Sequence, residues 1–255
     1  MALWVPGKVV ENKRWGGLLH SLRVEAEIEP YEAGQFIKIG LEIDVEKDGE
    51  ISKEIIGRPY SIVTPPQERP LDFYFITLAD GPLTQRLQKL QPGDDILVAP
   101  RAAGFLVLSE VPPARHLWLI STGTGIGPFL SILRSGNAWE RFERVTLVHA
   151  VRTVAELSYL DEINHVAAGH TQQFSYIPFV SREVCDFALD GRVPQAIADG
   201  RLEERAGIAI NAADSQVMLC GNPDMVTDVT NMLVERGLKK HKRRDPGQIS
   251  VENYW

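Results

Sequence analysis

The rhythm of apolar residues changes once along this chain, at Val111-Pro112-Pro113-Ala114, and that change limits the architecture more than any other feature. Before it, short alternating stretches are separated by glycine and proline turns. Leu18 to Ile28 and Gln35 to Ile43 alternate, Asp48-Gly49 makes a hairpin turn, and Leu71 to Leu78 reads as a strong strand. Pro92-Gly93-Asp94 then turns the chain into Ile96-Leu97-Val98, and one helical stretch, Leu83 to Leu90, interrupts the series. Many short strands joined in this way close into a small antiparallel barrel. After the change, continuous apolar strands at Leu117 to Ile120, Val145 to Ala150, Phe174 to Val180 and Val217 to Cys220 are spaced by helical patterns such as Phe129 to Leu133. Strands buried on both faces and separated by helices specify a doubly wound parallel α/β sheet. Asn222-Pro223 opens a helix with a cap and a proline at its first position, and Gly237 closes it. The expectation is an antiparallel β-barrel over residues 1–110 followed by an α/β domain over residues 111–255.

Composition narrows the function. The 255 residues, 44% hydrophobic and 24% charged, suit a soluble globular protein with ample core. A net charge of −7 argues against general nucleic-acid binding. No apolar run reaches membrane-spanning length, and Met1-Ala2-Leu3-Trp4-Val5 lacks a basic start and apolar stretch, so no membrane association and a cytoplasmic location are expected. Cys185 and Cys220 are far apart, so this chain offers no Cys-x-x-Cys metal or iron–sulfur site, and reduced thiols are the simpler reading. The six histidines form no hydrolase cluster, and no Gly-x-Ser-x-Gly elbow is present.

Several motifs carry chemistry. Thr122-Gly123-Thr124-Gly125-Ile126-Gly127-Pro128 lies between a buried strand and a helix, where glycines let backbone approach a phosphate and the helix start offers unpaired N–H groups. The spacing is neither Gly-x-Gly-x-x-Gly nor a P-loop. Arg58-Pro59-Tyr60-Ser61, placed just before a barrel strand, combines a bidentate phosphate ligand, a flat ring and a hydroxyl. Val251-Glu252-Asn253-Tyr254-Trp255 puts two adjacent aromatics in an extended segment, as suits closing over a planar group, or else tucking into the protein's own core. Arg152, Arg182 and Arg192 each follow a strand or turn where ligands of parallel sheets gather, although any one of them could be an ordinary surface arginine. Lys239-Lys240-His241-Lys242-Arg243-Arg244 is a basic run on an acidic chain, either a solvated face or a landing site for an acidic partner.

The order of these motifs, with Cys220-Gly221-Asn222-Pro223 before the aromatic end, resembles the ferredoxin–NADP reductase family, and most closely its bacterial ferredoxin/flavodoxin–NADP reductase type. The resemblance spans nearly the whole chain. It implies an FAD-binding barrel, an NADP-binding parallel sheet, and electron transfer between NADPH and a one-electron carrier, ferredoxin or flavodoxin. By motif, Arg58, Pro59, Tyr60 and Ser61 would hold the pyrophosphate, ring face and N5 edge of FAD. Phe75, Ile76, Thr77, Pro82, Leu83 and Thr84 would line the rest. Thr124 would reach both cofactors, and Gly123, Arg152, Ser181, Arg182, Arg192 and Asn222 would bind NADP, with guanidinium groups on its 2′-phosphate. Ser61, Cys220, Glu252 and Tyr254 would form the catalytic set: Cys220 faces the nicotinamide, Glu252 relays protons, Tyr254 covers the flavin and Trp255 extends to the adenine. The resemblance implies carrier docking near Lys239, Lys240, Lys242, Arg243 and Arg244, and a monomer is expected. A flavin reductase or oxygenase reductase component would use the same scaffold with another acceptor, and a flavin-binding redox-sensing module would use it without turnover.

Overall fold

The computed structural model describes residues 4–47 and 50–253. The expected hairpin turn at Asp48-Gly49 and the aromatic pair Tyr254 and Trp255 lie outside the described residues. The first half contributes β1 (Val5–Arg14), β2 (Leu19–Ala26), β3 (Phe36–Lys47), β4 (Glu50–Ser61), β5 (Leu71–Ile76), α1 (Thr84–Leu87) and β6 (Asp95–Val98). The strands form one antiparallel sheet in the order β4-β3-β6-β1-β2-β5. A bridge from Ile62 to Phe73 and a bond from Val63 N to Asp72 O at 2.9 Å join its two ends, which closes the sheet into a barrel. Leu22, Ile37, Ile39, Leu71, Phe73, Leu87 and Ile96 fill the barrel and are almost wholly buried. Burial of each side chain of this size contributes roughly 1.5–3 kcal/mol.

Three local readings need correction. β1 was not anticipated, because only Val9 among its apolar side chains is fully buried and Pro6 and Gly7 weaken the alternation. Arg58 to Ser61 forms the end of β4 and does not precede a strand, since β4 is mostly exposed and is held by its twelve-position ladder to β3. The helix expected over Leu83 to Leu90 shortens to Thr84–Leu87, and Gln88 and Lys89 continue as turn ahead of Pro92 and Gly93.

The second half runs β7 (His116–Thr122), α2 (Gly127–Ser135), α3 (Asn137–Arg141), β8 (Arg144–Val151), α4 (Leu160–Gly169), β9 (Phe174–Val180), β10 (Leu189–Asp190), α5 (Val193–Ala198), α6 (Arg201–Ala206), β11 (Ser215–Gly221), α7 (Pro223–Glu235) and β12 (Ile249–Asn253). All six strands pair in parallel, in the order β10-β9-β8-β7-β11-β12. Strand direction of winding reverses between β7 and β11, so their carboxyl ends border the crevice where open α/β sheets bind ligands. Phe129, Leu133 and Ile163 cover one face of the sheet, and Val193, Leu202, Val229 and Leu233 cover the other. The first of these cores also takes in Leu19, Val63, Tyr74 and Leu106 from the barrel half, so the two sheets share buried structure. As expected, the side chain of Asn222 caps α7, accepting from the amides of Asp224 at 2.9 Å and Met225 at 3.2 Å. Among the described residues no helix is long and apolar enough to cross a membrane.

Candidate active site

A cavity of about 550 Å³ opens where the barrel meets the carboxyl edge of the parallel sheet. Arg58, Pro59, Tyr60 and Ser61 from the end of β4, Phe75 and Ile76 from the end of β5, and Pro82, Leu83 and Thr84 at α1 all line it. Thr124 and Glu252 enter from the other half. The alternation of β4 turns Tyr60 toward this space, and the ring is braced edge-on by Phe75 at 6.1 Å and 75°. Phe75 is in turn stacked on His20 at 5.6 Å. Burial pushes the Tyr60 phenol up to about 12, so it stays protonated and the ring presents a neutral face.

Ser61 and Glu252 meet at the inner end of the cavity, 191 positions apart in the chain, with the Ser61 hydroxyl donating to Glu252 Oε1 at 3.5 Å. Burial raises the Glu252 carboxyl to about 7, and the Ser61 hydrogen bond only partly offsets this. A carboxyl poised there can hold or release a proton near neutral pH. Glu252 is placed by β12, whose register sets it beside Cys220 of β11, and Cys220 is itself beside Ser121 of β7. Cys220 is fully buried in this row and does not line the cavity. Thr77, expected on the cavity wall, is likewise buried away from it, its hydroxyl without a hydrogen-bond partner among the described residues.

The glycine segment follows β7 as a single 3₁₀ turn, Gly123–Ile126, leading directly into α2. Gly125 has no room for a side chain, because a Cβ there would sit 2.5 Å from the carbonyl oxygen of Cys220. This close approach locks the turn against β11, and Asn222 N adds a bond of 2.7 Å to the Thr122 hydroxyl. Gly123 takes a left-handed φ of +53°, and its carbonyl faces His149 Nε2 at 3.1 Å.

The expected nucleotide arginines gather at successive strand ends. Arg152 follows β8, Ser181 and Arg182 follow β9, and Arg192 follows β10. The backbone draws two of them together, since Arg182 N donates to Arg152 O at 2.8 Å and the Ser181 hydroxyl donates to Val151 O at 3.2 Å. All three arginines are exposed, and none of their guanidinium groups has an ion pair among the described residues. The carboxylates nearby are occupied by backbone: Glu156 accepts from Arg152 N at 2.9 Å and Glu183 from Val154 N at 2.7 Å.

In the basic run, Arg243 pairs with Glu110 at 2.7 Å and lies over the exposed Phe105 ring at 4.3 Å, while Lys239 pairs with Asp245. Lys240, Lys242 and Arg244 form no ion pair among the described residues. Sequence reasoning passed over Phe36, Ile56, Tyr74 and Asp80, which also line the cavity, and His149. For Tyr74 and Ile56 no motif marks the position. For His149 the signal was present, a lone polar side chain inside the apolar run Leu147 to Ala150.

Comparison with known proteins agrees with this layout. Residues 119–231 match the oxidoreductase NAD-binding domain family. The flavodoxin/ferredoxin–NADP reductase of Escherichia coli (strain K12) is 45% identical over 256 residues, with 100% of each chain covered. That of Buchnera aphidicola subsp. Baizongia pistaciae is 41% identical, again over 100% of each chain. The crystal structure of a ferredoxin NADP+ reductase from Neisseria gonorrhoeae with bound FAD and NADP superposes with a TM-score of 0.89 at 30% identity, covering 99% of both chains. The chain belongs to the flavodoxin/ferredoxin–NADP reductase family.

Proposed function

We propose that this protein is an FAD-dependent oxidoreductase that exchanges electrons between NADPH and ferredoxin or flavodoxin. The observation that carries the reading is the convergence of Tyr60, Ser61, Thr124 and Glu252, from both sheets, on one cavity. The donor set suits FAD: a neutral aromatic face for a planar ring system, a hydroxyl and a carboxyl at one end, and an arginine at the rim for a pyrophosphate. When bound, FAD supplies the chemistry that links two-electron hydride transfer to one-electron delivery.

The chain's own residues bind and orient. Arg58 holds the pyrophosphate, and Pro59, Phe75, Ile76, Pro82, Leu83 and Thr84 surround the remainder of FAD, with Thr77 packed behind that wall and out of reach of the cofactor. Ser61 and Glu252 hold and move a proton near the reacting edge. Thr124 contacts both cofactors, Gly123 and Asn222 frame the dinucleotide, and Cys220, in register with Glu252, supports the nicotinamide position. Arg152, Ser181, Arg182 and Arg192 select NADPH over NADH by binding the 2′-phosphate. Tyr254 is assigned to the face of the flavin that nicotinamide must occupy, and Trp255 to the adenine. The division at residues 110 and 111, between an FAD-holding barrel and an NADP-holding sheet, belongs to the same proposal. So do a monomeric state, a cytoplasmic location and carrier docking at Lys239, Lys240, Lys242, Arg243 and Arg244. Lys240, Lys242 and Arg244 carry most of the steering, because Lys239 and Arg243 are already paired within the chain.

Purified protein mixed anaerobically with NADPH should lose its yellow colour, and ferredoxin or flavodoxin added next should restore it. Protein that is colourless and takes up no added FAD would end this reading.

A further inference from the structure

His149 sits toward the carboxyl end of β8, on the same face as Val145 and Leu147, with no exposed surface. A polar ring sealed in an apolar strand is unfavourable unless hydrogen bonding compensates it, and leucine would be the less costly occupant. The ring has one polar contact, Gly123 O at 3.1 Å from Nε2, while Nδ1 has no hydrogen-bond partner among the described residues. Burial lowers the ring to about 4, so it is neutral at physiological pH, and the nitrogen that faces a carbonyl must carry the single proton.

That contact controls more than one carbonyl. A trans peptide is planar, with C=O and the following N–H pointing in opposite directions. Drawing Gly123 O down onto His149 therefore turns the Thr124 N–H up, away from β8. At φ +53° Gly123 has a conformation open to glycine and to few other residues, so its peptide is oriented by hydrogen bonding, from the 3₁₀ turn it begins and from the His149 ring. The turn it begins contributes Thr124 to the cavity wall and packs Gly125 against Cys220.

We propose that His149 is a positioning residue for the nicotinamide dinucleotide, holding the Gly123–Thr124 peptide so that the turn after β7 presents its amides to the ligand. The inference rests on the reading that this turn binds NADPH. A side chain that never touches the cofactor then sets the affinity for it.

Two substitutions and one spectrum test this on the FAD-loaded protein. His149→Leu removes the donor, whereas the amide of His149→Gln can still reach Gly123 O. With ferricyanide as acceptor, His149→Leu should raise KM for NADPH about tenfold with a smaller change in kcat, and His149→Gln should recover most of the loss. The change in flavin absorbance on adding NADP+ should weaken in the same order. In the unsubstituted protein, nitrogen-15 spectra should show His149 protonated at Nε2. An Nδ1-protonated ring, an unchanged KM in His149→Leu, or a glutamine variant as impaired as leucine each overturns the inference. If His149→Leu does not accumulate, His149→Asn, too short to reach Gly123, takes its place with the same expectation. NADPH that leaves the flavin of the unsubstituted protein oxidised ends the functional reading instead, and the ring's protonation still decides whether Gly123 is held as described.

Discussion

The phenol of Tyr74 donates to Ser158 Oγ at 2.7 Å, tying the wall of the cavity to the loop that follows β8. The next residue, Tyr159, donates to Asp72 Oδ2, two positions before Tyr74, at 3.0 Å, and the two tyrosine rings meet edge to face at 5.2 Å. Ser158 in turn donates to Glu156 O at 3.4 Å, and Glu156 is the residue that accepts from Arg152 N. A continuous set of contacts thus runs from the cavity wall to the arginine group.

This pairing predicts an acid-side stability effect. Burial raises the Asp72 carboxyl to about 6 from its ordinary 3.8, although Tyr159 and nearby Arg23 and Arg134 pull the other way. A raised carboxyl means the folded protein holds a proton that the unfolded chain has released. The stability Asp72 contributes is therefore complete below pH 3.8 and is lost as pH rises through about 6. The loss amounts to roughly 3 kcal/mol. Asp72→Asn should flatten the thermal-melting profile between pH 4 and 6 relative to the unsubstituted protein. Parallel profiles would contradict the assignment. Tyr159→Phe, which removes the donor, should lower stability by about 1–3 kcal/mol at neutral pH.

Glu252 predicts an activity profile. With its carboxyl raised to about 7, turnover with NADPH should show an ionisation near that pH. Glu252→Gln should abolish the ionisation and lower kcat about 10²-fold, with KM for NADPH much less affected. An unchanged pH dependence in the glutamine variant would remove Glu252 from proton traffic.

The arginines predict selectivity. Arg182→Ala should lower kcat/KM for NADPH about 10- to 100-fold, the effect of one or two charge-assisted hydrogen bonds, and leave NADH nearly unchanged. Steady-state comparison of the two coenzymes checks this. Equal losses with both would mean that Arg182 does not read the phosphate.

The basic run predicts a split between its members. Lys242→Glu with Arg244→Glu should slow reduction of an acidic carrier about tenfold at low ionic strength and weaken its salt dependence. Ferricyanide reduction should not follow the same pattern. Arg243→Ala should act mainly through lost contact with Glu110 and Phe105, and a carrier rate as impaired as that of the double variant would contradict this division.

Much of this was legible in the sequence. The four central strands of the parallel sheet, β7, β8, β9 and β11, are apolar on both faces and begin and end within a few residues of their expected limits, whereas the short edge strands β10 and β12 carried no such signal. The barrel was less readable, because β1 and β4 are stabilised by backbone ladders more than by buried side chains, and a ladder leaves little trace in composition. The glycine turn, Arg58 to Ser61 and Glu252 stood out as motifs, and the structure brings Thr124 and Glu252 to the same cavity as Tyr60. Tyr74, Ile56 and Phe36 gave no warning, since each looks like ordinary core until the two sheets are set against each other. His149 was dismissed for lacking a cluster, yet its significance lies in a single carbonyl across the turn.

Leu19, Val63 and Leu106 pack in the same interior as Leu119, Phe129 and Met218. Because that seam is common to both sheets, the burial that folds the chain also sets the geometry of the cavity between them. A substitution deep in this seam, distant from both coenzymes, would shift donor–acceptor distance permanently, and because electron tunnelling and hydride transfer weaken steeply with separation, it would read as a slow enzyme with normal affinities.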